Sequence, residues 1–347
     1  MGQLTLTQRI GFTVFTIVAL GILLSGTLVH LLTESWWFEA VQFADVFWTR
    51  LTWQVAIGAI AFLLYGGFLW GNYAIASRVT KYHTYRLLNE MNLHAYARYV
   101  PTMILAFIVM LALGGGAVGY SMWETALKFL NGTSFDLADP IYQQDVGFYL
   151  FQLPFYQQVH GWLLGLLIWS LIIALVIYGI KGAIEPDRGW QYALRGGSKT
   201  HISLLLVAIA LLFAVGFWLQ RYELLYSSQG VVFGAGYTDV HAQEQAYWFM
   251  SMATLVMAGL FVASLWRMSL VVPVIGLGIY VVAWIGMTQL YPQFQQRFIV
   301  EPNELTKETP YIEHNLDFTR WAYGLDDVTR ERYPAETNLN REALAQN

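Results

Sequence analysis

The chain has 347 residues, of which 56% are hydrophobic and 12% charged, with a formal net charge of -4 and no cysteine. Soluble domains carry roughly 25% charged residues, so a continuous water-facing polar shell is excluded, and the small acidic balance gives nucleic-acid binding no electrostatic basis. The missing thiols also exclude disulfides, thiolate metal sites and cysteine nucleophiles.

Seven apolar stretches free of charged residues follow one another: Ile10–Leu32, Leu51–Tyr73, Pro101–Tyr120, Trp162–Ile180, Ile202–Leu219, Tyr247–Trp266 and Leu270–Leu290. Each is about 18–23 residues long. A helix rising about 1.5 Å per residue needs that length to cross a hydrocarbon layer of about 30 Å. The pattern predicts an all-α polytopic membrane protein with seven transmembrane helices. The first stretch exceeds a signal-peptide core and runs into His30-Leu31-Leu32-Thr33-Glu34 rather than a small-x-small cleavage pattern, so it reads as an uncleaved span.

The connections carry their own signals. After the first span, Trp37, Val41, Ala44 and Trp48 fall at helical spacing and predict a short aromatic helix in the headgroup zone. Residues 76–99 mix basic side chains with Tyr82, Tyr85, Tyr96 and Tyr99, a composition for an interfacial helix on anionic lipid. Glycine pairs at four-residue spacing, Gly67/Gly71, Gly115/Gly119 and Gly161/Gly165, predict close helix contacts, and Gly114-Gly115-Gly116 offers a bend. Asp136, Asp139 and Asp145 lack the spacing of a calcium loop. Residues 141–158, punctuated by Pro140 and Pro154, read as a surface helix or turn. Glu185-Pro186-Asp187 and Gly196-Gly197 are turn signals, and 224–242 reads as an ordered outer segment with glycine turns.

Lysine and arginine set the orientation. Ten lie at the N-terminus and in the second, fourth and sixth loops, against three in the first, third and fifth. The positive-inside rule then puts the N-terminus in the cytoplasm and, with seven spans, the C-terminal tail outside. The expected organisation is a seven-span domain over 1–290 and an extracytoplasmic tail over 291–347. That tail docks through Pro302–Leu325 and is too polar to fold alone beyond Thr337.

No zinc-protease, phosphate-loop or nucleophile-elbow motif is present. His30 aside, the spans hold no ionisable group of the kind proton-coupled carriers use. The nearest approach to a site is Asp239, His241 and Glu244, an oxygen and imidazole set that holds a divalent metal only if the three converge. No cofactor is implied.

Three segments carry a family resemblance. They are Asp139-Pro140-Ile141-Tyr142-Gln143-Gln144-Asp145-Val146-Gly147-Phe148-Tyr149 with Leu153-Pro154-Phe155, then Tyr226–Gly230 with Gly236–Ala242, and Pro302–Leu305 with Pro310-Tyr311-Ile312, Asn315 and Thr319–Asp326. Together they resemble the bacterial membrane proteins of uncharacterised protein family (UPF) 0182. The resemblance implies seven spans followed by a large exported region, of which this chain would represent the N-terminal membrane portion. It implies no catalytic residue, because none is established for that family.

The reading is therefore a multi-pass protein of the bacterial inner membrane and not an enzyme. It acts as an anchor or scaffold presenting an extracytoplasmic region, with membrane lipids and other membrane protein subunits as partners. The alternative is a transporter or lipid-handling protein with a groove between spans. An enzyme built around Asp239 and His241 is the third reading.

Overall fold

The computed structural model describes residues 6–81, 85–184, 196–266 and 271–329. It is predominantly helical across these segments. The long helices are α1 (Leu6–Ala40), α2 (Ala44–Val79), α4 (Val100–Ser121), α6 (Leu153–Ile180), α7 (Gly196–Glu223), α8 (Glu244–Trp266), α9 (Val271–Ile285) and α11 (Glu304–Ala322). The short ones are α3 (Arg86–Glu90), α5 (Trp123–Leu130) and α10 (Tyr291–Gln295).

Among the described residues, six helical segments are long and apolar enough to cross a membrane: Ala44–Val79, Ala95–Ser121, Phe148–Ile180, Gly196–Tyr226, Asp239–Trp266 and Val271–Ala322. They contain the second to sixth expected spans and the seventh from Val271 onward, Leu270 lying outside the described residues. The first expected span lies inside α1, which is not one of the six. Large apolar side chains such as Leu63, Met103, Leu113, Val274, Ile279 and Val282 point outward, a surface suited to hydrocarbon rather than water.

Several connections differ from expectation. No separate aromatic helix follows the first span. α1 runs on to Ala40, the chain turns at Gln42 with a positive φ of 61°, and α2 begins at Ala44. Trp36, Trp37 and Trp48 are nonetheless exposed, and Arg50 of α2 pairs with Glu34 of α1 across the turn. The basic segment over 76–99 divides into the end of α2, α3 and a 3-10 turn at His94–Tyr99; Tyr82 lies outside the described residues. The helix expected to start at Trp162 starts earlier, because a π-helical turn at Phe148–Gln152 leads straight into α6. The helical path that holds the seventh expected span does not stop at Leu290. It continues through π-helical turns at Gly286–Leu290 and Gln296–Val300 into α11. The Glu185-Pro186-Asp187 turn and the tail from Thr337 lie outside the described residues.

By contact the chain forms two compact units. One comprises Met1–Asp139, Gln144–Gly216 and Thr254–Leu277; the other comprises Pro140–Gln143, Phe217–Ala253 and Gly278–Asn347. These are packing units, whereas the expected division at 290/291 is a membrane boundary, so the two do not compete.

The first unit is organised by α2 against α4. A Cβ on Gly116 would sit 2.9 Å from the Phe62 Cβ, one on Gly115 would overlap the Tyr65 ring, and one on Gly119 would overlap the Ala61 Cβ. The backbones therefore approach where α4 has no side chains. The reciprocal small face on α2 is Gly58 and Ala61, not Gly67 and Gly71, which have nothing within 4 Å; Gly161 also meets nothing. α4 runs through Gly114-Gly115-Gly116 as one helix. α6 joins the pair through Trp162, whose indole N–H donates to the Gly115 carbonyl at 3.0 Å and whose ring lies edge-on to Tyr65.

Two polar hooks add α7. His160 reaches the Leu212 carbonyl at 2.8 Å, its ring lying where a Cβ on Gly216 would be. The buried Asn72 donates to Phe68 O, so its Oδ1 accepts from His201 Nε2 at 2.9 Å, which leaves Nδ1 to accept from the Tyr178 hydroxyl at 2.8 Å. Three helices thus share one fully satisfied buried chain of hydrogen bonds.

The loop between α5 and α6 is closed by carboxylates. Asp145 accepts from the Ser134 hydroxyl at 2.7 Å and from the Phe135 and Gly147 amides. Asp139 accepts from the Gln144 amide and the Tyr149 hydroxyl, both at 2.8 Å. An antiparallel bridge pairs Ala138 with Asp145. The hydrogen bond from Ser134 and those from the backbone amides hold the Asp145 carboxyl below its ordinary value.

Two stability outcomes are expected. Gly119→Ala forces a methyl into Ala61 and should lower the melting temperature, at about 1–3 kcal/mol for overpacking. Gly67→Ala meets open space and should be neutral or stabilising by up to about 1 kcal/mol; thermal unfolding in lipid discs compares them. For Asp145 the folded pKa is depressed, so its contribution is present above the ordinary carboxyl value and is lost as pH falls through the lower folded one. Asp145→Asn should therefore speed amide exchange at Phe135 and Gly147 at about pH 7, with the difference from the parent shrinking towards about pH 3.

Candidate functional site

The second unit holds an open cavity of about 520 Å³. Its walls come from the end of α7, the irregular segment after it, the start of α8 and the helical path from Thr288 to Glu308. The lining is polar, with glutamines 220, 229, 243, 289, 293 and 296, and with Ser227, Thr238, Thr288, Glu223, Asp239 and Glu308; among the described residues it includes no lysine, arginine or histidine.

Local backbone explains how helices present so many polar groups to one space. Three π-helical turns, Asp239–Gln243, Gly286–Leu290 and Gln296–Val300, each contribute lining side chains. A π turn inserts a surplus residue into a helix and rotates the residues beyond it, and such turns cluster at functional sites. Gln289, Gln293 and Gln296 consequently share the wall beyond an apolar span.

α11 contributes one wall residue to the cavity. Its Glu308, 4% exposed, accepts the Tyr237 amide with both oxygens at 3.1–3.2 Å. Asp239, also buried, accepts the Gly236 amide at 3.0 Å. Gly236 is thus held between two carboxylates, and a Cβ there would sit 3.0 Å from Glu308 Oε2. Glycine is favoured here by close approach rather than by backbone angle, since a Cβ would press on the Glu308 carboxylate. Asn315 donates to the Phe233 carbonyl at 2.7 Å, and the Thr238 hydroxyl donates to the Gln296 side-chain oxygen. Lys307 lies over one face of the Tyr237 ring, 4.6 Å from its centre, and the His241 imidazole stacks on the same ring at 4.0 Å.

The three residues singled out for metal chemistry point to different partners. Asp239 lines the cavity. His241 stacks on Tyr237 and has its Nδ1 3.3 Å from the Tyr311 hydroxyl. Glu244 pairs with Arg221 at 3.3 Å. That guanidinium is itself packed against Trp248, Tyr142 and Tyr222. Among the described residues no group of three or more histidine or carboxylate side chains is placed to hold a metal ion.

The family model for the Uncharacterised protein family (UPF0182) matches residues 11–347. The chain belongs to this family. A UPF0182 protein of Trichodesmium erythraeum is 48% identical over 325 residues, covering 93% of this chain and 35% of that relative. One from Synechococcus sp. (strain JA-3-3Ab) is 34% identical over 359 residues, covering 97% and 39%, and one from Cupriavidus necator is 36% identical over 322 residues, covering 91% and 35%. The chain spans little more than a third of the length of these UPF0182 relatives. No solved structure matches.

Of the segments that carried the resemblance to UPF0182, two meet at this cavity: Gly236–Ala242 supplies Gly236, Thr238 and Asp239, and the segment before Pro310 is the helix that carries Glu308. Sequence reasoning missed Glu308 and the glutamine wall. The spacing of Gln289, Gln293 and Gln296 was a visible signal; the pairing of Glu308 with an amide 71 residues away was not.

Glu308→Ala leaves the Tyr237 amide without its acceptor, at about 1–3 kcal/mol for a buried group. It should raise amide exchange and protease sensitivity across 233–241 while leaving 100–121 unchanged. Equal loosening of both segments would mean that Glu308 acts on global folding instead.

Proposed function

We propose that this chain is a seven-span, non-enzymatic module of the bacterial inner membrane that anchors and presents an extracytoplasmic surface to other membrane subunits. Its N-terminus lies in the cytoplasm and its tail outside, with 1–290 forming the membrane domain and 291–347 the extracytoplasmic part. The observation that carries this reading is the fixing of α11, a polar helix held to 233–241 by Glu308 and Asn315. A segment following the last span is thereby kept ordered as a platform. α1 supports the seventh crossing, because it contains the charge-free Ile10–Leu32 stretch within 35 residues of helix.

A second reading, lipid handling, is favoured by one feature of the first unit. A groove of about 580 Å³ is lined by Gly114, Gly115, Gly161, Gly165, Trp162 and Trp169, small and aromatic residues against which an acyl chain packs without needing a polar partner. Copurification separates the two: a stoichiometric protein partner supports the platform, a stoichiometric lipid the groove.

Topology is testable because the chain has no cysteine. Single cysteines at Ser134 and Ser228, both exposed, should react with an impermeant maleimide added outside, and a cysteine at Arg78 should react only after the membrane is opened. Ser198 is buried and would be silent from either side. The reverse labelling pattern overturns the orientation.

A further inference from the structure

We propose that the cavity of the second unit binds a neutral, polyhydroxylated ligand of the saccharide class. Its volume, about 520 Å³, falls within the range of about 300–1,000 Å³ typical of small-molecule sites. Among the described residues the lining holds no cationic side chain that would neutralise an anion. Leu224 and Pro292 are the main apolar contributors, far too little for an apolar guest, which would leave the amides unpaired.

The lining instead matches hydroxyl chemistry. A glutamine amide both donates and accepts, as does every sugar hydroxyl, so a wall of glutamines can satisfy a ring of hydroxyls in either sense. Gln289, Gln293 and Gln296 supply such a wall from one helical path, and the bond from Thr238 orients the Gln296 amide. Glu223, the third carboxylate of the lining, is exposed to solvent, and Asp239 and Glu308 already receive the Gly236 and Tyr237 amides. Those contacts offset part of their charge, so they act as strong acceptors for ligand hydroxyls without demanding a counter-cation. Tyr226 and Tyr247 add hydroxyl groups and ring surface to the same space. The site stands independently of the platform role and of the orientation, since it depends only on the second unit's own walls.

The test uses the whole chain in lipid discs assembled without alkyl glycosides, whose headgroups would compete. Maltose and trehalose are titrated by calorimetry and by melting, with spermidine as the cationic control. At least one disaccharide should bind and raise the melting temperature. Gln289→Leu and Gln293→Leu alter exposed side chains and should leave the fold intact. Each should weaken that affinity by about tenfold or more, the loss of roughly one good hydrogen-bonded contact to a ligand, while melting unchanged without sugar. The proposal is overturned if neither disaccharide binds, if both variants retain parental affinity, or if spermidine alone binds in a salt-sensitive manner. The maleimide result bears on none of these outcomes, so failure here and failure of the topology are distinguishable.

Discussion

In hydrocarbon, burying one apolar side chain against another gains little over leaving it in lipid, so helices associate through close fit and hydrogen bonds. That constraint governs the first unit. Its outward faces are apolar without being informative, and what fixes the arrangement is a few positions where side chains are small or absent. Gly115, Gly116 and Gly119 bring α4 against α2, and the indole of Trp162 then reaches a backbone carbonyl that closer-packed side chains would cover. The Asn72–His201–Tyr178 chain adds a directional requirement: its groups are matched donor to acceptor, and a rotated helix would strand all three.

The second unit obeys a different logic. Its long-range ties include hydrogen bonds between side chains of α11 and distant backbone groups: the Tyr237 amide donates to Glu308, and Asn315 donates to the Phe233 carbonyl. Segments without regular structure expose amides and carbonyls that need partners, and side chains of α11 supply them. The ordered segment after α7 is therefore a product of α11 as much as of its own glycines. Arg221 performs the parallel task for Pro140–Gln143, accepting the Tyr142 hydroxyl at its carbonyl while its guanidinium packs against aromatic rings.

Much of this was legible in the chain. Six of the charge-free stretches correspond to helices long and apolar enough to cross a membrane, because length and the exclusion of charge are local properties. Local chemistry also placed the segments that resemble the family, and the family match agrees. Which glycines touch a partner was not legible. Gly67/Gly71 and Gly115/Gly119 have the same spacing, but only the second pair faces atoms of another helix, and facing is a tertiary fact. Trp37 through Trp48 kept helical spacing across a turn that a single positive φ at Gln42 creates. The candidate metal set failed to converge for a similar reason: a π turn over Asp239–Gln243 changes the phase that α-helical spacing would assume, and Glu244 is claimed by Arg221.

The π turns at Gly286–Leu290 and Gln296–Val300 give the region a particular fragility. Each holds one residue more than an α-helical turn would, and one residue corresponds to about 100° of rotation around a helix axis. The direction in which α11 presents Glu308 and Asn315 is thus a sum of two local surpluses. Insertions and deletions that an ordinary solvent-facing loop absorbs would here swing every later side chain out of phase. For the orientation of α11, the number of residues in this stretch matters as much as their identity.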